Sequence, residues 1–247
     1  MRGLRAAWRL WRALLHALGG LFTILLWFPR MSVERQHAEV QAWAGGMLKV
    51  LGIGLQVRGQ PPAHGPMLLV SNHISWLDIL VMHAARYCRF VSKSDVKHWP
   101  LLGRLATGAG TLYIERESRR DAMRVVHHMA ESLQSGDVLA VFPEGTTSDG
   151  VDLLPFHANL IQAAIAAHAP AQPVALQFID AATGEMTLSP CYIGDDTLVA
   201  SLWRTLTGPA ITAVVTFGQP QQAEGRERRT WAADLRAAVQ ELRRADQ

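Results

Sequence analysis

The sequence predicts an α/β fold: a mostly parallel mixed sheet flanked by helices, preceded by an N-terminal amphipathic helical membrane element. Three observations carry this. From about residue 58 onward, short apolar runs alternate with longer helical patterns. Several runs, such as Met67–Ser71 up to its closing serine and Val138–Phe142, are continuously apolar rather than alternating, which suits parallel strands buried on both faces. The first 33 residues carry five arginines and no acid, and they read as helix.

In the N-terminal segment, a helical projection of residues 2–15 places Arg2, Arg5, Arg9 and Arg12 within an arc of about 80°. Leu4, Trp8, Trp11 and Leu15 fall within about 60° on the other side. A cationic face and an aromatic-aliphatic face suit an anionic bilayer surface, rings inward and guanidinium groups outward. The competing reading is a surface helix packed on the domain. The apolar run Ala13–Phe28, broken by Gly19-Gly20, reaches about 24 Å as helix, short of a hydrocarbon core of about 30 Å. It is expected to lie at the interface or re-enter rather than span. A second pattern, Val40, Trp43, Met47, Val50 and Leu51, predicts an antiparallel partner helix. No small-residue cleavage site follows the run, and the first 31 residues lack serine, so neither a secretory nor a transit peptide is expected.

Pro61-Pro62 and Gly65-Pro66 mark a linker. The expected division is therefore 1–57, a membrane-associating helical segment, and 58–247, the α/β domain. Expected strands are Met67–Ser71, Arg89–Ser92, Thr111–Ile114, Val138–Phe142, Val174–Ile179, Thr187–Tyr192 and Ile211–Phe217. Expected helices are Trp76–Arg86, Arg119–Gln134, Ala158–His168, Thr197–Leu206 and Trp231–Arg244, the last read as a surface helix.

Composition narrows the function. With 247 residues, 49% hydrophobic and 18% charged, the chain is neither disordered nor polytopic. Cys88 and Cys191 make no disulfide framework and no metal spacing, which points to a reducing compartment. The net charge is +3, and without the five N-terminal arginines the rest carries −2, so no basic nucleic-acid face is expected.

Three motifs remain. Ser71-Asn72-His73-Ile74-Ser75-Trp76-Leu77-Asp78 joins an apolar strand to a helix, where α/β sheets place their sites. If His73 lies on the turn and Asp78 in the first helical turn, the carboxylate can fix the imidazole tautomer and leave a base. Equally, Ser75-x-x-Asp78 is a capping box. Phe142-Pro143-Glu144-Gly145-Thr146-Thr147 ends a second strand in a turn whose glycine lets a substrate approach the backbone. Gly110 through Arg116 contains a third strand, and Arg116, which follows it, could clamp a phosphate or carboxylate or simply precede a helix capped by Ser118. His127, His128 and Glu131 read as a solvated helix face rather than a metal site.

Asn72-His73-x-x-x-x-Asp78, Gly110 to Arg116, Phe142 to Thr146 and Pro173-Val174, in that order, resemble the four blocks of the glycerolipid acyltransferase family. Its best-known members are the 1-acylglycerol-3-phosphate acyltransferases. The resemblance covers about residues 65–180. It implies a membrane-bound enzyme that moves a fatty acyl chain from acyl-CoA or an acyl carrier protein thioester to a lysolipid hydroxyl. The thioester is a co-substrate, and neither a cofactor nor a metal is implied. By that resemblance His73 and Asp78 are catalytic, and Lys93, Arg116, Glu144, Gly145 and Thr146 bind the acceptor. The implied partners are the lysolipid, the thioester donor and an anionic membrane, at the cytoplasmic face of a bacterial inner membrane.

The implied acceptor is 1-acylglycerol-3-phosphate, giving phosphatidate. The family's third block, however, commonly continues Thr-Arg, with a Lys after a later Pro-Phe. Here those places hold Thr147 and His157. Their neutrality leaves lyso-ornithine lipid as an alternative acceptor. Outside this class stand a thioester hydrolase and a non-catalytic membrane-binding module. An oxyanion is expected to meet backbone N–H groups at the helix start after Ser75.

Overall fold

The computed structural model describes residues 2–114 and 119–245. Its core is a seven-stranded sheet: β1 Gly54–Gly59, β2 Met67–Ser71, β3 Arg89–Lys93, β4 Leu112–Ile114, β5 Val138–Val141, β6 Ala171–Asp180 and β7 Ile211–Phe217. Their spatial order is β1-β7-β6-β2-β5-β3-β4. All neighbouring pairs are parallel except β6 with β7. The helices are α1 Arg2–Leu26, α2 Val33–Leu51, α3 Leu77–Ala85, α4 Leu102–Gly108, α5 Arg119–Gln134, α6 Ala158–Ala167, α7 Leu198–Thr207 and α8 Arg228–Arg244.

The period-two geometry of β2 divides the core. Met67 and Leu69 face one cluster, with Leu51 of α2 and Val81 of α3. Leu68 and Val70 face the other, with Met129 of α5, Ile161 of α6 and Trp231 of α8. Every residue of β2 is buried, which explains its unbroken apolar sequence. The chain leaves β2 for β3 on one side and later returns from β5 to β6 on the other, so the carboxyl end of β2 lies at the switch point of the sheet.

Two expected elements differ. Thr187–Tyr192 is a loop held to the sheet edge by Thr187 N–H donating to the Phe178 carbonyl (2.9 Å). Pro190 has no N–H to give a ladder. Conversely, Gly54–Gly59 is a strand, paired in register with β7. It is a polar edge strand with exposed residues, so no apolar run announces it. The division expected after residue 57 thus falls inside β1 of the sheet. The short α4, with a glycine at each end of its core sequence, also escaped periodicity.

Helix α1 runs unbroken through Gly19-Gly20. At 25 residues it extends about 37 Å, and Arg2–Arg30 is long and apolar enough to cross a membrane by length and composition. It has three faces. Ala6, Ala17 and Gly20 are buried. Leu4, Trp8, Trp11, Leu15 and Phe22 are exposed. The arginines lie on the flank between, where the Arg9 guanidinium reaches the Gly52 cap at the negative end of α2. The two helices are antiparallel, since Arg9, His16 and Gly20 meet Gly52, Gly46 and Trp43 in turn. Trp43 Nε1 donates to the His16 carbonyl (3.1 Å). Gly20 is required here, because a Cβ would stand 2.4 Å from Trp43 Nε1.

Candidate active site

The loop after β2 folds around one carboxylate. Asp78, fully buried in the first turn of α3, places Oδ2 2.8 Å from His73 Nδ1. The same oxygen accepts the N–H of Ile74 (2.6 Å) and Ser75 (2.9 Å). Ser75 Oγ accepts the Leu77 N–H (3.2 Å) and donates to the Pro190 carbonyl (2.6 Å). The carboxylate half of the capping box, Asp78 on the Ser75 N–H, and the histidine–aspartate pair are therefore both present, built on the same atom, while Ser75 Oγ serves Leu77 instead of Asp78. Because the loop carries His73 out of the helix, the five-residue spacing no longer separates the two side chains.

His73 is held from three further directions. Its ring stacks on Phe142 with centroids 4.0 Å apart. Its N–H donates to Glu144 Oε1 (2.8 Å), and its carbonyl accepts the Ser148 N–H (2.9 Å). A fifth of the side chain remains exposed. With Nδ1–H donated to Asp78, the lone pair is on Nε2, the nitrogen that can take a proton from a substrate. Asn72 anchors the loop from below: its amide exchanges two hydrogen bonds with Leu176 of β6 (3.0 and 2.8 Å).

Glu144 was expected to face the acceptor. Its carboxylate is instead buried and divided between two backbone donors, His73 and, through Oε2, Leu154 (2.9 Å). Burial pushes its pKa above the usual carboxylate value, opposed by those hydrogen bonds and by the charges of His73 and Arg243. Gly145 and Thr146 form the exposed tip of the turn. Gly145 has φ +74°, and a Cβ there would meet the His157 ring at 3.0 Å. Thr147 donates its hydroxyl to the Tyr192 carbonyl. Lys93 ends β3 at the same edge of the sheet and is exposed. Arg116 lies outside the described residues.

Two of the expected oxyanion donors after Ser75 are engaged. Leu77 N–H serves Ser75 Oγ, and Asp78 N–H serves the Ser75 carbonyl (3.2 Å). Neither thiol offers a nucleophile, since burial raises both, Cys191 to about 11. Among the described residues no group of three or more His, Cys, Asp or Glu could hold a metal ion. His127 and His128 pair with Glu131 on the exposed face of α5.

Sequence reasoning missed the support from α8. Arg236 and Arg243, two turns apart, reach under the loop that follows Gly145. Arg236 donates to the carbonyls of Leu154 (Nε, 3.0 Å) and Leu153. Arg243, only 2% exposed, donates to those of Gly150 and Val151 (3.2 Å). An arginine in a charged terminal helix reads as solvated, and only the burial of its neighbour Val239 at helical spacing hinted otherwise.

A buried, mostly parallel sheet with a carboxylate-held imidazole at its carboxyl edge defines the class: an α/β enzyme suited to general-base chemistry. The chain belongs to the Acyltransferase family, whose model matches residues 54–177, and is an acyltransferase. It is 42% identical over 185 residues to the 1-acyl-sn-glycerol-3-phosphate acyltransferase of Neisseria gonorrhoeae, covering 74% of this chain and 72% of that one. It is 36% identical over 197 residues to the lyso-ornithine lipid O-acyltransferase of Pseudomonas aeruginosa, covering 80% and 75%. The crystal structure of the 1-acyl-sn-glycerophosphate acyltransferase from Thermotoga maritima shares the fold, with TM-score 0.65 over 95% of this chain and 98% of that chain at 19% identity.

Proposed function

We propose that this acyltransferase moves a fatty acyl chain from acyl-CoA or an acyl carrier protein thioester to the free hydroxyl of 1-acylglycerol-3-phosphate, giving phosphatidate. The single observation that carries the chemistry is the 2.8 Å contact between His73 Nδ1 and Asp78 Oδ2, with the ring still open to solvent. Nε2 of His73 takes the hydroxyl proton as that oxygen attacks the thioester carbonyl. The C–S bond breaks, and the leaving thiolate recovers the proton from the imidazolium, which Asp78 stabilises. A positioned base of this kind contributes about 10²–10⁴ in rate. Gly145, Thr146, Lys93 and Arg116 bind the acceptor, and Glu144 binds it indirectly by shaping the turn.

Residues 1–57 serve as the membrane-associating segment and 58–247 as the acyltransferase domain, joined through β1. Helix α1 packs on the domain along its whole length, from Gly3 beside Trp203 to Ile24 beside Gly108. A helix so attached lies along one leaflet rather than leaving the domain to span. Its arginines favour an anionic surface, and the reducing compartment read from two buried free cysteines favours the cytoplasmic face.

One observation favours a second acceptor, lyso-ornithine lipid: neither Thr147 nor His157 supplies a fixed cation for a phosphate. The test offers purified enzyme labelled acyl-CoA and acyl carrier protein thioesters against 1-acylglycerol-3-phosphate, lyso-ornithine lipid and no acceptor. Phosphatidate as the main product, lost in His73→Ala with vesicle binding kept, supports the proposal. Acylated ornithine lipid supports the second reading. Free fatty acid without any acceptor, or His73→Ala retaining more than a few per cent of transfer, refutes both.

A further inference from the structure

Helix α8 lies beyond the segment that defines the family, yet it is wired to the catalytic loop. The connections run in series. His73 N–H is held by Glu144, and the other oxygen of Glu144 is held by Leu154 N–H. The carbonyl of Leu154 and its neighbours Leu153, Val151 and Gly150 are held by Arg236 and Arg243. Helical spacing puts both guanidinium groups on one face of α8, with Val239 fully buried between them. The backbone of α8 is fixed in turn, because Gln177 of β6 donates to the Arg243 carbonyl (3.1 Å).

We propose that Arg236 and Arg243 are positioning residues of the acyl-transfer site, which set the placement of His73 by holding the 150–154 loop against Glu144. The observation behind this is that four carbonyls of one short loop, two adjacent pairs on either side of Asp152, are claimed by two arginines. A loop of this length on a surface normally gives its carbonyls to water. An arginine as buried as Arg243 carries a desolvation cost that hydrogen bonds and a nearby carboxylate must offset. The negative charges of Glu144, Asp152 and Asp149 oppose that cost. Arg236 spans two adjacent carbonyls with two nitrogens of its planar fork, whereas Arg243 reaches both of its carbonyls from one terminal nitrogen, a contact that a lysine ammonium can partly reproduce. The proposal rests on the reading of His73 as base.

The experiment compares wild type with Arg243→Gln, Arg243→Lys, Arg236→Gln, Glu144→Gln and the double variant Glu144→Gln/Arg243→Gln. Steady-state kinetics with one acyl-CoA and one lysolipid acceptor are combined with the NMR signal of the His73 Nδ1 proton. Arg243→Gln is expected to lower kcat at least tenfold, with KM for both substrates within about twofold and the Nδ1 signal shifted or broadened. Arg243→Lys should recover part of kcat. In the Glu144→Gln background, Arg243→Gln should add less than a twofold further loss, because both changes break one chain. Should Arg243→Gln fail to fold, Arg243→Lys and Arg236→Gln give the same reading of kcat against KM. Unchanged kcat in these variants, or effects that multiply independently in the double variant, overturns the proposal. If His73→Ala stays active, the base reading falls on its own, while the response of the Nδ1 signal to Arg243→Gln still decides whether α8 positions that ring.

Discussion

A single oxygen of Asp78, Oδ2, lies 2.8 Å from Nδ1 of His73 while also accepting the N–H groups of Ile74 and Ser75. Three donors converging on one buried atom leave Oδ1 without a partner among the described residues. The side chain is thus selected for charge and not for shape. Asp78→Asn offers an amide that brings donors of its own to three donors. It is expected to lower kcat by about 10² or more and to cost about 1–3 kcal/mol of stability. Initial rates and urea unfolding of the purified variant check both, and an isostere with near-wild-type kcat would contradict the assignment.

Burial alone lowers the pKa of His83, from 6.5 to about 4. The folded protein keeps this ring neutral, whereas the unfolded chain protonates it below the ordinary histidine value. Unfolded molecules therefore bind the extra proton between those two pH values, and stability rises with pH across that window. The shift corresponds to at most about 3 kcal/mol. Replacing His83 by Phe, beside the edge-on ring of Phe90, should flatten that part of the stability profile. Denaturant midpoints measured from pH 4 to pH 7 read the effect, and parallel profiles for the two proteins would refute it.

Adjacent glycines in α1 should respond in opposite directions. A Cβ at Gly19 meets nothing within 4 Å, so Gly19→Ala is expected to stabilise the helix by about 0.5–1 kcal/mol. At Gly20 the new methyl drives into Trp43, and Gly20→Ala should destabilise by about 1–3 kcal/mol. Thermal unfolding in mild detergent separates them. Equal shifts of the same sign would mean that α1 and α2 do not pack this way in solution.

His157 lies over Gly145 at the exposed turn and occupies the position before α6 without a side-chain bond to the helix. His157→Lys adds a permanent charge where an acceptor phosphate would approach. It should raise kcat/KM for 1-acylglycerol-3-phosphate relative to lyso-ornithine lipid by about fivefold, the worth of about 1 kcal/mol. Competition between the two acceptors in one reaction measures the ratio, and an unchanged ratio would place the headgroup elsewhere.

The sequence made legible those parts whose signal is local. The mostly apolar β2 and β7, the periodic α5 and α8, and the strand-to-helix placement of His73 and Asp78 each follow from side-chain pattern over a few residues. What it hid depends on distant partners. β1 is a strand because β7 offers it a ladder, although it has no continuous apolar run and most of its residues are exposed. Thr187–Tyr192 has the composition of a strand but spends its donors elsewhere: Tyr192 N–H goes to Ile74 and Pro190 has none. Glu144 is legible as part of the site, but no local rule reveals that its carboxylate takes the N–H groups of His73 and Leu154. The buried Arg243 was hidden for the same reason.

The inward face of α1 is part of the main hydrophobic core, with Ala6 wholly enclosed. Under the proposed function, the helix that would attach the enzyme and the strand that leads to His73 therefore belong to one packed core. The height of the imidazole above a lipid surface would then be set by the fold itself and not by a linker.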